Sequence, residues 1–442
     1  PAKMARGVMM MFAIVALTTD PALPPPRALQ NATAPPGDAP ARGGLAALRH
    51  RNFRVLYVGQ LLSLCGTWMQ STAQGWLVLE LTDSSLLLGV VTAAGSLPSL
   101  VLTLWAGVVA DRGDKRRIIL IADIVMMLQS FALAALTYTG YITFPTLLIL
   151  VLVLGAANAF EVPTRQSIYV ELVGKEDIQN AIALNSAAFN ATRIVGPALA
   201  GWIIGALGTA ACFLANGLSY LAVIAGVLMM KLPAFVRPAR TSSALEDVRE
   251  GIVFIGRDPL LRTLVGLIAA MSITAFPFAM LLPVFARDVL GVGAEGLGWL
   301  LAATGAGALA GGVALAAGGG RVARGKLLIG ALVAFCLFLF AFTFARSLPV
   351  AALLLAATGF SMILNNATLN ALLQSLTPNA LRGRVMSVYV FMFLGMTPVG
   401  ALQAGALSRV VGAPAAVAVG SSVLLLIVVI AAARVPELWK VR

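Results

Sequence analysis

The chain has 442 residues, of which 60% are hydrophobic and 11% charged, with a formal net charge of +13 and a mean hydropathy of +0.93. Soluble globular chains carry about 25% charged residues, so this composition excludes a soluble domain and describes a chain that crosses a membrane repeatedly. The positive excess sits in short connections between apolar runs. That is the cytoplasmic Lys and Arg bias of membrane proteins, not a nucleic-acid footprint.

At the N-terminal end, Lys3 and Arg6 precede an apolar run over 7–17, followed by Pro21, Pro24, Pro25, Pro26, Pro35, Pro36 and Pro40. The run is short of the roughly 20 residues a helix needs to cross a bilayer. It has the outline of a signal peptide, and the leading expectation is a disordered, Pro-rich tail over 1–48. Twelve later segments are long enough to cross: 53–80, 85–110, 117–139, 145–170, 179–206, 209–231, 260–286, 294–320, 325–345, 348–376, 384–410 and 413–434. Polar residues interrupt the fourth and the tenth. The expected fold class is an all-α polytopic membrane protein of 12 transmembrane helices in two pseudo-symmetric six-helix halves. The halves cover 49–232 and 259–434, and 435–442 is a cytoplasmic tail.

The longest connection, 233–258, divides the spans six and six. In it Leu245, Val248, Ile252 and Ile255 recur at 3, 4 and 3. That spacing predicts an amphipathic helix, lying on the inner membrane surface or packed on cytoplasmic helix ends. Placing the start of the first span in the cytoplasm puts 22 Lys and Arg in inner segments and only Arg287, Arg346 and Arg409 in outer loops. Both termini are therefore expected inside.

Several polar groups lie within the spans. Span 1 carries Gln60, Ser63, Thr67, Gln70 and Gln74 at spacings 3, 4, 3 and 4, a row on one helix face. Such a row faces either a wet substrate path or neighbouring helices bonded through it. Span 4 carries Asn158, Glu161 and Arg165; with Asp123 of span 3, the two charged residues predict a cytoplasmic-side cluster. That cluster reads either as a proton-linked gate titrating at Glu161 or as a static ion-pair network. Arg193 lies about 21 Å from the inner face of span 5 at 1.5 Å per residue, and needs an anionic partner: the substrate or Glu161. Span 10 carries Asn366, Asn370 and Gln374, an uncharged row that extends the expected substrate path.

The halves repeat. Leu88-Gly89 matches Leu297-Gly298, Val58-Gly59 matches Val265-Gly266, and Asn158 with Gln166-Ser167 matches Asn366 with Gln374-Ser375. Leu172, Phe189, Gly196 and Gly201 match Leu376, Phe393, Gly400 and Gly405. Duplicated halves are a transporter architecture with the substrate held between them. The cysteines Cys65, Cys212 and Cys336 all lie in apolar runs and His50 is the single histidine, so no metal set arises; nor does a nucleophile–base pair or phosphate loop, and an enzyme is not expected.

Between spans 2 and 3 lies Gly107-Val108-Val109-Ala110-Asp111-Arg112-Gly113-Asp114-Lys115-Arg116-Arg117. It resembles the loop between helices 2 and 3 of the major facilitator superfamily, Gly-x-x-x-Asp-Arg followed by a basic cluster. Arg193-Ile194-Val195-Gly196-Pro197-Ala198-Leu199-Ala200-Gly201 resembles the glycine-proline motif of its antiporter branch. With Asn52-Phe53-Arg54 and Pro163-Thr164-Arg165-Gln166-Ser167, residues 51–434 resemble the enterobactin-exporter-like branch. The resemblance implies the major facilitator fold in a bacterial inner membrane. It also implies export of an amphipathic small molecule, such as a siderophore, macrolide or drug, by alternating access and proton antiport. No cofactor is implied beyond a proton gradient, and the partners are the substrate and the lipid bilayer, not nucleic acid; oligomeric state is open. It assigns Gly107, Asp111 and Arg112 to a gate, with Asp111 meeting the N-terminus of helix 11 near Arg382 and Arg384, and Gly196, Pro197 and Gly201 to a hinge. The departures are Asp114, where the superfamily has glycine, and Val151 and Leu154, where a drug-antiporter motif ending at Gly155 has arginine and glutamine. Arg165 or Arg193 is then the candidate replacement. A solute importer of the same fold and a transport-inactive sensor or assembly partner are the alternatives.

Overall fold

The structure is a computed structural model that describes residues 45–230, 244–318 and 323–441. Nearly all of the expected Pro-rich tail lies outside the described residues, as does linker segment 231–243. A short turn of 3-10 helix over Ala46–Arg49 leads into α1 (Arg51–Thr82), α2 (Ser85–Arg112) and α3 (Lys115–Tyr138). Phe144–Leu207 is helical throughout except at Gly174, whose φ of 73° breaks it into α4 (144–174) and α5 (175–207). α6 (Thr209–Met229) completes the first half, and α7 (Ala244–Arg257) is the linker helix.

The second half begins with α8 (Pro259–Thr274) and α9 (Phe278–Val284), the latter extended by a π-helical turn over Phe285–Val289. It continues with α10 (Gly293–Gly318), α11 (Arg324–Phe342) and α12 (Leu348–Leu376). It closes with α13 (Asn379–Gly395), α14 (Thr397–Val411) and α15 (Ala413–Arg434). Side chains start several spans where the sequence changes character. Ser84, Asp114, Thr143 and Asp258 are N-caps whose oxygens accept from the first turn of α2, α3, α4 and α8. Asp114, the departure from the superfamily's glycine, is therefore a helix cap.

Two expected single helices are broken. The 260–286 segment divides into α8 and α9 around Pro277, and 384–410 divides into α13 and α14 at Met396, two residues before Pro398. Proline removes a backbone donor and disfavours helical geometry in the residue before it. Counting each broken pair once gives twelve spans. Among the described residues, ten are long and apolar enough to cross a membrane by composition. The other two are α1 and α5, equally long but diluted by polar residues.

Within the first half α1 packs on α5 and α6, and α3 packs on α6; in the second, α10 and α11 pack on α12. The halves join where α2 meets α14 and α5 meets α10. These joins repeat at the level of atoms. A Cβ on Gly89 would lie 2.5 Å from the Ala401 carbonyl and 3.3 Å from Gly405 Cα, and one on Gly298 would lie 2.7 Å from the Pro197 carbonyl and 3.1 Å from Gly201 Cα. Likewise Gly405 sits against the Ser85 carbonyl and Gly201 against the Ala294 carbonyl, both at 2.7 Å. Each residue and its counterpart are 209 apart in α2 and α10 and 204 apart in α5 and α14. The internal repeat read from sequence is thus a repeat of helix crossings.

Both crossings lie at the end of the bundle that carries Asp83, Arg287 and Gly412, here the far end. Arg287 donates from Nη1 to the Leu79 carbonyl at 3.0 Å and pairs with Asp83, tying α9's end to α1's. The opposite, basic end carries Lys115, Arg116, Arg257 and Arg384. There α7 packs on α13 and α8: Gly251 lies against the Arg384 backbone, Glu250 pairs with Arg384, and Phe254 and Ile255 are buried. Of the two readings of the linker helix, packing on helix ends describes this part; the side chains of Leu245 and Val248 lie outside the described residues.

Candidate transport site

The α1 row separates into two destinations. Gln60, Ser63 and Gln70 are buried inside the first half. Gln60 donates to Asn185 Oδ1 at 2.7 Å, and its own oxygen accepts from the Tyr169 hydroxyl at 2.8 Å. Gln70 donates to Gln129 at 3.1 Å and accepts from Ser130 and Asn216 at 2.8 Å each, which joins α1, α3 and α6. Thr67 donates to the Ser63 carbonyl within α1. Gln74 alone of the five lines the cavity between the halves. A spacing of 3 and 4 puts residues on one face but does not name what that face touches, and most of this one touches helices.

The charged residues of α3 and α4 form one buried cluster. Arg165 Nη2 donates to Asp123 Oδ1 at 3.2 Å, and Arg165 Nε pairs with Glu161 one turn back. All three are less than a tenth exposed. Two carboxylates share one guanidinium, and Asp123 Oδ2 has no partner among the described residues. Asn158, a candidate for the substrate path, is not in the cavity lining; its Nδ2 donates to the Leu154 carbonyl.

Between the halves lies a cavity of about 640 Å³. Trp68, Gln74, Arg193, Phe276, Met280, Thr304, Met362, Asn366 and Phe393 are among its walls, drawn from α1, α5, α9, α10, α12 and α13 as well as the α8–α9 break. Phe276 meets Phe393 edge to face at a centroid distance of 5.6 Å, and Trp68 meets Phe189 at 5.4 Å. Asn370 and Gln374 bond to each other at 2.6 Å farther along α12, outside the cavity lining. The hinge motif positions the walls. Gly196 admits the Cys65 carbonyl and Trp68 Cβ of α1, and its counterpart Gly400 admits the Ser272 carbonyl of α8. Pro197 both lines the cavity and supplies the carbonyl that Gly298 admits.

The basic turn is partly explained. Lys115 Nζ reaches the Ser167 carbonyl and Glu171, and Arg116 donates to the Val227 and Leu228 carbonyls at the C-terminal end of α6. Cations at a helix C-terminus are favoured by its dipole. Gly107 has open space where a side chain would go. The side chains of Asp111 and Arg112 lie outside the described residues, while Arg382 Nε donates to the Gln374 carbonyl and Arg384 pairs with Glu250.

Several site-building residues were not singled out from sequence: Tyr169 and Asn185 beside Gln60, the Gln129–Ser130–Asn216 group, and Asp83 with Arg287. Their signal was polarity inside or at the rim of apolar spans. Their partnerships join residues as far as 208 apart in sequence, which no local pattern encodes.

Twelve spans, a two-fold repeat and a cavity between the halves define a multi-pass membrane transporter. Residues 42–440 match the family model described as a transmembrane secretion effector. The chain belongs to that family of major facilitator transporters. It is 27% identical over 356 residues to the multidrug efflux pump Tap of Mycolicibacterium fortuitum, covering 78% of this chain and 87% of that protein. The Tap pump of Mycobacterium tuberculosis is 29% identical over 380 residues, with coverages of 81% and 87%. A staphyloferrin A transporter of Staphylococcus aureus is 30% identical over 168 residues, or 38% of this chain and 42% of that one. Among solved structures, a bacterial homologue of the human lysosomal transporter Spinster aligns with a TM-score of 0.70 at 15% identity, over 91% and 98% of the two chains. The nucleoside transporter NupG aligns at 0.67 with 12% identity, over 86% and 98%. These two likenesses concern the fold.

Proposed function

We propose that the protein exports an amphipathic small molecule across a bacterial inner membrane by alternating access, with the basic end and both termini in the cytoplasm. The observation that carries this reading is the cavity between the halves, whose walls combine aromatic and thioether side chains with a set of polar ones; of the latter, the hydroxyls of Thr72, Thr92, Thr304 and Thr397 are spent on carbonyls of their own helices. Such a lining receives an apolar body and orients it through sparse polar contacts. At the far end the halves meet at the glycine crossings and beside the Arg287 tie, and an alternating-access cycle requires a state in which they part. The direction is supported by the efflux pumps among the relatives and by the glycine-proline motif of α5.

Proton antiport is the proposed drive, and Asp123, Glu161 and Arg165 its seat. Two buried carboxylates facing one guanidinium leave room for one proton, and changing that occupancy changes the charge between α3 and α4. The test is substrate movement in proteoliposomes with and without an imposed pH gradient. Export driven by protons moving the other way is expected. Accumulation in the same direction as the protons identifies an importer, and indifference to the gradient removes antiport.

A further inference from the structure

We infer that the cargo carries an oxyanion and that Arg193 receives it: the cavity takes amphipathic organic acids in preference to organic cations. This deepens the transport-site reading of the cavity and rests on it, but not on the direction of transport.

Among the described residues, Arg193 is the single charged one lining the cavity. Its Nη2 is buried and has no hydrogen-bond partner among the described residues. The other anion that sequence offered, Glu161, is held by Arg165. A guanidinium keeps its charge at any physiological pH. The residue as a whole is half-buried; a buried donor left without a partner is costly, and the group that best satisfies a guanidinium is a planar oxyanion bonded through two N–H donors. The counterpart of Arg193 in the other half, 204 residues on, is Thr397, which also lines the cavity and is neutral. The positive charge is therefore not balanced by the repeat.

The position of Arg193 is fixed from behind. A Cβ on Gly305 of α10 would lie 3.3 Å from the Arg193 carbonyl and 2.8 Å from Ile194, so the backbone that bears the guanidinium is pressed on its neighbour. In the same cavity, Trp68, Phe276 and Phe393 supply faces for an apolar or aromatic body. Among the described residues, no carboxylate lines the cavity to neutralise an ammonium group.

The test uses the full chain in phosphatidylcholine nanodiscs and three probes that share one body: 1-pyrenebutanoic acid, 1-pyrenebutanol and 1-pyrenebutylamine. Binding is read as tryptophan-to-pyrene energy transfer above that of protein-free discs. The acid should bind at least about tenfold more tightly than the amine, the scale of one charge-assisted hydrogen bond. In Arg193→Gln the acid should fall to the level of the alcohol, and Arg193→Lys should restore part of the difference. Asn366→Asp, which places a carboxylate in the same cavity, should weaken the acid and strengthen the amine while the thermal melt stays cooperative. An acid preference that survives Arg193→Gln overturns the assignment. So does a wild-type preference for the amine, the absence of binding by all three probes, or displacement of the acid by equimolar inorganic phosphate. These are equilibrium readings; a wrong direction of transport would show only in the proteoliposome experiment.

Discussion

At the residue scale, two buried polar groups do different work. Gln70 joins three helices and does not reach the cavity. Gln70→Leu leaves Gln129, Ser130 and Asn216 short of partners, which costs on the order of 1–3 kcal/mol. The expected result is a lower melting temperature in detergent with unchanged cargo affinity. Arg165 stands between two carboxylates. Its removal alone, as Arg165→Met, leaves both buried without a counter-charge and should destabilise by about 3–5 kcal/mol. The triple replacement Asp123→Asn, Glu161→Gln, Arg165→Met should recover most of that loss, because a neutral cluster has no charge to compensate. Glu161→Gln is the functional counterpart. Under the antiport proposal it should cut gradient-driven transport at least about tenfold and spare substrate exchange, since general acid–base groups carry effects of roughly that size or more. Gln70, Asp123, Glu161 and Arg165 stood out in the sequence, because polarity within an apolar span is conspicuous, whereas Gln129, Ser130 and Asn216 were not singled out. It did not sort Gln70 from Gln74, since both lie on one face and only the packing of α3 and α6 covers the first.

At the element scale, the close approach of the halves at the far end depends on four glycines in two equivalent crossings. A side chain at Gly298 meets the Pro197 carbonyl and Gly201 Cα before the helices reach their present distance. Overpacking of this kind costs about 1–3 kcal/mol, and it falls on the far-end-closed state. Gly298→Val and its counterpart Gly89→Val should each shift the population toward a far-end-open form. Spin-label distances across α2 and α14 report it, and unchanged distances would remove the glycine crossings from the gate. The repeat was legible in sequence because Gly89 and Gly298, and Gly201 and Gly405, aligned. That each meets the partner of the other half was not, because an alignment of halves says nothing of how they dock. The breaks at Pro277 and Met396 were missed for a different reason: hydropathy stays high through a helix break.

At the scale of the whole molecule, charge and topology go together. Basic residues gather at one end, where Lys115 and Arg116 bind the ends of α4 and α6 and Arg384 holds the linker helix. The proposed orientation gives a direct check. A cysteine replacing the exposed Asp83 should react with a membrane-impermeant maleimide added outside intact cells, and one replacing Arg257 should not. The reverse pattern would invert the topology. Twelve spans could be read from the chain because crossing a bilayer demands long apolar runs; the cavity could not, because its walls come from both halves.

Two of those spans, α1 and α5, fall short of the apolar content that the other ten reach. During synthesis α1 emerges first, and its polar row is costly in lipid by itself. The groups that satisfy Gln60 and Gln70 lie in α3, α4, α5 and α6, all made later. The first span is therefore expected to remain at the border of the insertion machinery until the sixth span arrives. On that expectation the N-terminal half enters the bilayer as one assembled unit, and replacing Asn216 of α6, which donates to Gln70, should lower the yield of inserted protein as well as its stability.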